Sequence, residues 1–242
     1  EWLLSDDGLA TRAANGELAA GTVDSWLVWQ LTGGRVHATD PTNASRTMLF
    51  DIDAMQWSDD LCRLFGVPPA VLPEVRPSSG MFGVTRRDLF GAEIPICGIA
   101  GDQQAALYGQ GCWASGEGKN TYGTGAFLLL NTGGARAPAG GGLLATVACD
   151  ARGAPAYALE GAIFIAVAAV QWLRDGLGVI RTAAETEAPA RSVESTGGVY
   201  LVRALVGLGA PHWEPAAGGM LVGLTRGSTR AHLARGALEA MA

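Results

Sequence analysis

The pattern of apolar and polar positions changes character near residue 110. Before it, helical and strand-like stretches alternate; after it, short strand-like runs follow one another between turn signals. The first half predicts a short amphipathic helix over residues 8–14. A second helix is predicted over 23–31, closed by Gly33 and Gly34, with Asp24 in the first turn, where the helix dipole favours an acid. The segment RVHATDPTNASRTMLFDI, residues 35–52, carries the Asp-Pro and Asn-Ser chemistry of a turn between strand-like flanks. A helix over 57–65, a Pro-started turn or short helix over 67–72 and a short strand over 80–85 follow. The apolar run 94–100 reads as a buried strand. Gly101-Asp102 then turns the chain, with Asp102 as N-cap of a helix over 103–108 that Gly109 and Gly111 stop.

In the second half, strands are predicted over 120–131, 143–150 and 156–160. They are separated by TGGARAPAGGG and ARGAP and make two successive hairpins. Residues 161–175 read as a long helix, apolar on nearly all faces and therefore buried between layers. GLGAPHWEP, residues 207–215, reads as a turn with buried aromatics. The fold class is α/β, with two partial domains, 1–110 and 111–242, meeting near Asp102. A cleft between domains is where ligands bind.

Composition narrows the function classes. Of 242 residues 48% are hydrophobic, enough for a sizeable core, and the 35 glycines, without a fixed period, indicate many tight turns. Lys plus Arg number 17 against 23 Asp plus Glu, a net charge of −6 that offers no footprint for nucleic acid or an anionic membrane and favours small-molecule partners. No apolar run is long enough to span a membrane and the first residues lack a signal-peptide pattern, so a cytoplasmic location is expected. Cys62, Cys97, Cys112 and Cys149 are scattered, as reduced structural thiols are. His37, His212 and His232 have no partners at metal-ligand spacing, so no tightly held metal is expected. The chain opens without Met and closes on an uncapped helical pattern, HLARGALEAMA, which reads as a fragment.

The chemistry concentrates between residues 94 and 127. Asp102 follows a strand, at the end where open α/β sheets bind ligands, and Gly123-Thr124-Gly125 offers backbone N–H groups to a phosphate. Each has a structural alternative: Asp102 is a good N-cap, and glycines inside a strand also mark a bulge or a close backbone approach. A carboxylate facing a phosphate loop points to phosphoryl transfer.

The strings GTVDSWLVWQLTGGRVHATDPTNASRTMLF, LPEVRPSS, IPICGIAGDQQAALYGQ, KNTYGTGAFLLLNTG, YALEG, QWLRD and GLGAPHWEP resemble the glycerol kinase family in order and spacing, over essentially the whole chain. The resemblance implies paired ribonuclease-H-like domains of the actin and hexokinase type, this chain holding the end of the first and the start of the second. It implies ATP and glycerol as substrates, Mg²⁺ as cofactor and a homo-oligomer for the full-length protein. By the same resemblance Asp102 is the catalytic base, Gln103 and Phe127 contact glycerol, Gly123, Thr124 and Gly125 form a phosphate loop, and Val167 and Gln171 lie at the nucleotide. Val167 departs from the family's usual Gly and implies weaker nucleotide binding. Residues 86–93 lack the Gly- and Arg-bearing form that binds fructose 1,6-bisphosphate in some members, and Asp88 stands where others carry a phosphorylatable His. The family's other phosphate and adenosine loops have no counterpart in these residues, so the chain alone is expected to be inactive. A related sugar or polyol kinase and a degenerate, non-catalytic relative are the alternatives.

Overall fold

The computed structural model describes residues 4, 7–138 and 140–242. The chain divides into two compact units. One comprises Glu1–Lys119, Leu129–Pro138 and Ala145–Leu159, the other Asn120–Leu128, Ala139–Leu144 and Glu160–Ala242.

The first unit begins with helices α1 (Asp7–Ala14) and α2 (Val23–Thr32). Gly33 ends α2 in the left-handed region at φ 68°, a conformation that glycine adopts without a Cβ penalty. Asp24 works harder than a first-turn acid needs to, because it accepts hydroxyl hydrogen bonds from Thr22 and, at 2.6 Å, from Thr39. Thr39 lies in strand β1 (Ala38–Thr39), which leads into a one-turn helix, α3 (Pro41–Ala44), capped by Asp40. A tight hairpin follows, β2 (Phe50–Asp51) with β3 (Gln56–Trp57), its Phe50 and Trp57 rings edge to face at 5.5 Å. The helix expected over 57–65 is shorter, α4 (Asp59–Leu64): Trp57 belongs to β3, and the Ser58 hydroxyl caps the Leu61 N–H.

Strand β4 (Glu74–Val75) pairs in parallel with β1, and β5 (Ser79–Val84) pairs antiparallel, through a bulge, with β6 (Pro95–Gly98). Between the last two lies a single turn, α5 (Arg87–Phe90). The apolar run predicted to be a buried strand does form β6, but its residues are largely exposed. A two-stranded ribbon has two faces to cover, and beside β6 a cavity of about 550 Å³ is lined by Ser79, Cys97, Ala100, Tyr108, Cys149 and Arg152. Helix α6 (Asp102–Gly109) follows and turns Leu107 into a core cluster with Cys112, Leu129, Ala148 and Ala158.

Instead of one strand over 120–131 there are two, β7 (Gly118–Tyr122) and β8 (Ala126–Gly133), joined by the Gly-Thr-Gly turn. With β9 (Leu144–Cys149) and β10 (Pro155–Ile163) they form a sheet of order β7-β8-β10-β9: β9 and β10 make the second expected hairpin, but β8 lies beside β10, so the hairpin expected between 120–131 and 143–150 does not form and β7 pairs with β8 instead. The division between the units passes across these strands.

The second unit corrects another expectation. Residues 161–163 complete β10, and helix α7 spans only Ala168–Asp175. It is amphipathic: Ala169, Val170 and Leu173 are buried with Ile165, Ile180, Leu201 and Ala237, while Gln171 and Asp175 are exposed. The apolar residues before Ala168 that suggested an all-round buried helix serve the strand and the bend after it. Helix α8 (Glu187–Arg191), the hairpin of β11 (Tyr200–Val202) and β12 (Met220–Val222), and α9 (Arg230–Glu239) complete the unit. The aromatics of residues 207–215 are exposed, not buried: Trp213 rests edge-on against Phe164 and donates its indole N–H to Gly142 O at 2.6 Å.

All four cysteines are free thiols. Burial pushes the thiols of Cys62 and Cys149 above their ordinary pKa, with Asp59 adding to the effect at Cys62 and Asp40 and Asp150 at Cys149. Both thiols stay protonated, as structural cysteines do. Among the described residues no helix is long and apolar enough to cross a membrane.

Asp40 has no exposed surface, and its carboxylate accepts from Thr42 N and Asn43 N (both 3.1 Å), Thr42 Oγ1 (2.7 Å), Asn43 Nδ2 (2.8 Å) and Ser78 Oγ (2.6 Å). Asp40→Ala would strand all five donors. It is expected to cost ~3 kcal/mol or more in denaturant unfolding, because hydrogen bonds to a charged acceptor are strong and their buried donors cannot turn to water. The exposed Asp60, paired with Arg63, serves as the control; Asp60→Ala should change the midpoint far less.

Candidate active site

Gly101, not Asp102, is the N-cap of α6. It is extended (φ −60°, ψ 148°), its carbonyl accepts from Ala105 N at 2.7 Å, and Asp102 is the first helical residue. The N-cap role proposed for Asp102 from sequence therefore falls to its neighbour. The Asp102 side chain is exposed, and its Oδ2 accepts from Gln103 Nε2 at 3.1 Å.

The turn that carries Asp102 is held from a distance in sequence. Gly101 N donates to Thr42 Oγ1 at 2.8 Å, and that hydroxyl donates in turn to the buried Asp40 carboxylate at 2.7 Å. A Cβ on Gly101 would stand 2.7 Å from Gln104 Oε1, and Gln104 is itself fixed by its Nε2 donating to Val147 O at 3.1 Å. Sequence reading found the Asp-Pro-Thr-Asn turn but not this task. Its signal, an acid followed by Pro and Thr, is that of any helix start, and Gly101 is far along the chain. Lys119 was also passed over. It is buried, and its Nζ donates to Gln103 Oε1.

The other residues expected at a site, Gly123, Thr124, Gly125, Phe127, Val167 and Gln171, all lie in the second unit. Gly123 N donates to Gly125 O at 2.7 Å, closing the turn. The Gly123 carbonyl accepts from Val167 N (3.1 Å), and the Thr124 carbonyl accepts from Ala166 N (2.8 Å) and Ala168 N (3.3 Å). Helix α7 has no side-chain cap, and the turn's carbonyls do that work. In a planar trans peptide the C=O and the following N–H point in opposite directions. With the carbonyls of Gly123 and Thr124 turned to α7, the N–H groups of Thr124 and Gly125 face away from it. Thr124 is exposed.

The two glycines answer to different constraints. A Cβ on Gly125 would lie 2.4 Å from Ile163 O and 3.0 Å from Phe164 O, so this glycine is a close backbone approach, whereas at Gly123 the nearest atom would be 3.8 Å away. Val167 is the N-cap of α7 at φ −61°, ψ −23°, an ordinary right-handed conformation in which Val is unstrained. Phe127 is half-buried in β8, and Gln171 is exposed on α7. Among the described residues no group of three or more His, Cys, Asp or Glu could hold a metal ion.

Comparison with known proteins agrees with the motifs. Residues 1–109 match the N-terminal domain of the FGGY family of carbohydrate kinases, and residues 118–242 match the C-terminal domain of that family. The chain is 60% identical over its whole length to a glycerol kinase from Thermus brockianus, of which it covers 49%, and 59% identical to one from Rhodopirellula baltica, of which it covers 45%. It therefore spans about half the length of the curated relatives it matches. Among solved structures, Plasmodium falciparum glycerol kinase with ADP superposes at a TM-score of 0.88 with 37% identity, over 99% of this chain and 48% of that one. A xylulose kinase from Rhodospirillum rubrum shares the fold at a TM-score of 0.72 and 24% identity, over 90% of this chain and 44% of its own.

The contrast between the two glycines is testable. Gly125→Ala is expected to destabilise by about 1–3 kcal/mol, because the carbonyls in its way are backbone and cannot rotate aside. Gly123→Ala should leave the thermal midpoint unchanged. Equal midpoints for the two variants would show that the approach of Gly125 to Ile163 is not a packing constraint.

Proposed function

Because the chain belongs to the FGGY family of carbohydrate kinases, we propose that it is part of an ATP-dependent glycerol kinase, which makes sn-glycerol 3-phosphate. The observation that carries this reading is the Asp102 carboxylate: it is exposed in the first turn of α6, released from capping by Gly101. Such a group can take the proton of an attacking hydroxyl. General-base help of this kind is worth about 10² to 10⁴ in rate, and positioning and charge stabilisation supply most of the rest in phosphoryl transfer.

In this reading Gln103 hydrogen-bonds a glycerol hydroxyl and Phe127 packs on the carbon chain. The outward N–H groups of Thr124 and Gly125, with the Thr124 hydroxyl, hold the terminal phosphate in the turn that Gly123 opens. Val167 and Gln171 meet the nucleotide. Val167 adds a branched side chain where relatives of this kind usually have none, and weaker ATP binding follows. Mg²⁺ bound together with ATP would supply charge neutralisation at the phosphoryl oxygens, and Asp102 alone would be a weak ligand for it. The domain boundary falls near residue 110, the parent protein is cytoplasmic and a homo-oligomer, and it is complete only with the length its relatives have.

The test is glycerol-dependent ADP release from ATP by the parent protein at that length. Asp102→Asn is expected to lower kcat by about 10² to 10⁴ with the thermal midpoint unchanged. Glycerol-dependent turnover that survives in the variant would remove Asp102 as the base.

A further inference from the structure

Lys119 is 3% exposed, in β7 directly before the stretch that ends in the Gly-Thr-Gly turn. Its ammonium donates to Gln103 Oε1, while Gln103 Nε2 donates to Asp102 Oδ2 at 3.1 Å. An ammonium has three donors and no acceptor; an ionised carboxylate only accepts. The amide between them therefore has one satisfied orientation. Rotated by half a turn, it would put its NH₂ against the ammonium and its carbonyl against the carboxylate, two repulsive contacts in place of two hydrogen bonds.

We propose that Lys119 is a positioning residue for the reaction: by fixing the Gln103 amide it pins Oδ2 of Asp102 and leaves Oδ1 to take the hydroxyl proton. The inference rests on the glycerol kinase reading of Asp102. It also makes Lys119 a determinant of substrate orientation, since the same amide faces both the base and, in that reading, a glycerol hydroxyl. The bland alternative is a lysine that only fills space between β7 and α6.

A double-mutant cycle in the full-length parent protein separates the two, because a residue that acts through a partner loses its effect once the partner is gone. Lys119→Met is expected to lower kcat/KM for glycerol about 10- to 100-fold with KM for ATP unchanged, and to add little in a Gln103→Ala background. Gln103→Glu, close to isosteric, provides an arm that does not depend on Lys119→Met folding. It keeps the lysine contact but sets a second carboxylate against Asp102, and it should lower kcat with the thermal midpoint held. The same loss from Lys119→Met in both backgrounds, no loss in the native background, or native turnover in Gln103→Glu would each overturn the proposal. If these results come with an inactive Asp102→Asn, the positioning role alone fails. If Asp102→Asn is active, the kinase reading fails with it.

Discussion

The buried carboxylate of Asp40 is the constraint on which the first unit's reactive corner depends. Taking a charge out of water costs several kcal/mol unless donors surround it, and here five do. Two of those donors are backbone N–H groups of the one-turn helix that Asp40 itself starts, so the cost of burial is met partly by local structure. A third, Asn43 Nδ2, belongs to the same helix, and the other two reach outward, through Ser78 to the start of β5 and through Thr42 to Gly101. A helix of eight residues preceded by a largely exposed strand has little packing of its own to fix its first turn. The relay from Asp40 through the Thr42 hydroxyl supplies that fixity, and side chains that do chemistry need such support from the residues behind them.

What was legible in the sequence follows from how local each signal is. Helix α2 and its Gly33 stop, the β5 strand, the hairpin of β9 and β10 and the helix after Gly101 are set by neighbours in sequence, and they form close to where expected. The misreadings occur where the deciding partner is remote. The Asp-Pro-Thr-Asn turn looked like any turn because Ser78 and Gly101 cannot be seen from it. The run at β6 looked buried because apolar composition does not reveal how many strands lie beside it. Residues 161–167 looked helical because periodicity cannot separate a short apolar strand from a buried helix. Residues 161–163 instead complete β10, and the N–H groups of Ala166 and Val167 go to the carbonyls of the Gly-Thr-Gly turn.

The residues expected at a site came from motif resemblance, and the geometry gives some of them a physical reason. It also separates residues the motif treats alike. Gly125 is glycine because Ile163 O leaves no room, and Gly123 has no such neighbour, so its smallness is a matter of access and not of packing. Val167 departs from the family pattern at a position whose backbone is ordinary. That backbone puts no strain on the fold.

The turns at Asp102 and at Thr124 divide their polar groups in comparable ways. A turn that must be rigid needs its polar groups tied to the protein, and a turn that must bind a ligand needs some of them left over. At Asp102 the division is between neighbouring residues: the Gly101 backbone takes the cap and the tether to Thr42, and the next carboxylate stays exposed. At Thr124 the division is within single peptide planes, whose carbonyls cap α7 and whose N–H groups consequently face the other way. The structural and functional readings of these motifs, which look like competitors in sequence, are therefore the two ends of one arrangement. The Gly123 and Thr124 carbonyls cap α7, and the N–H groups of the same peptides face away from it.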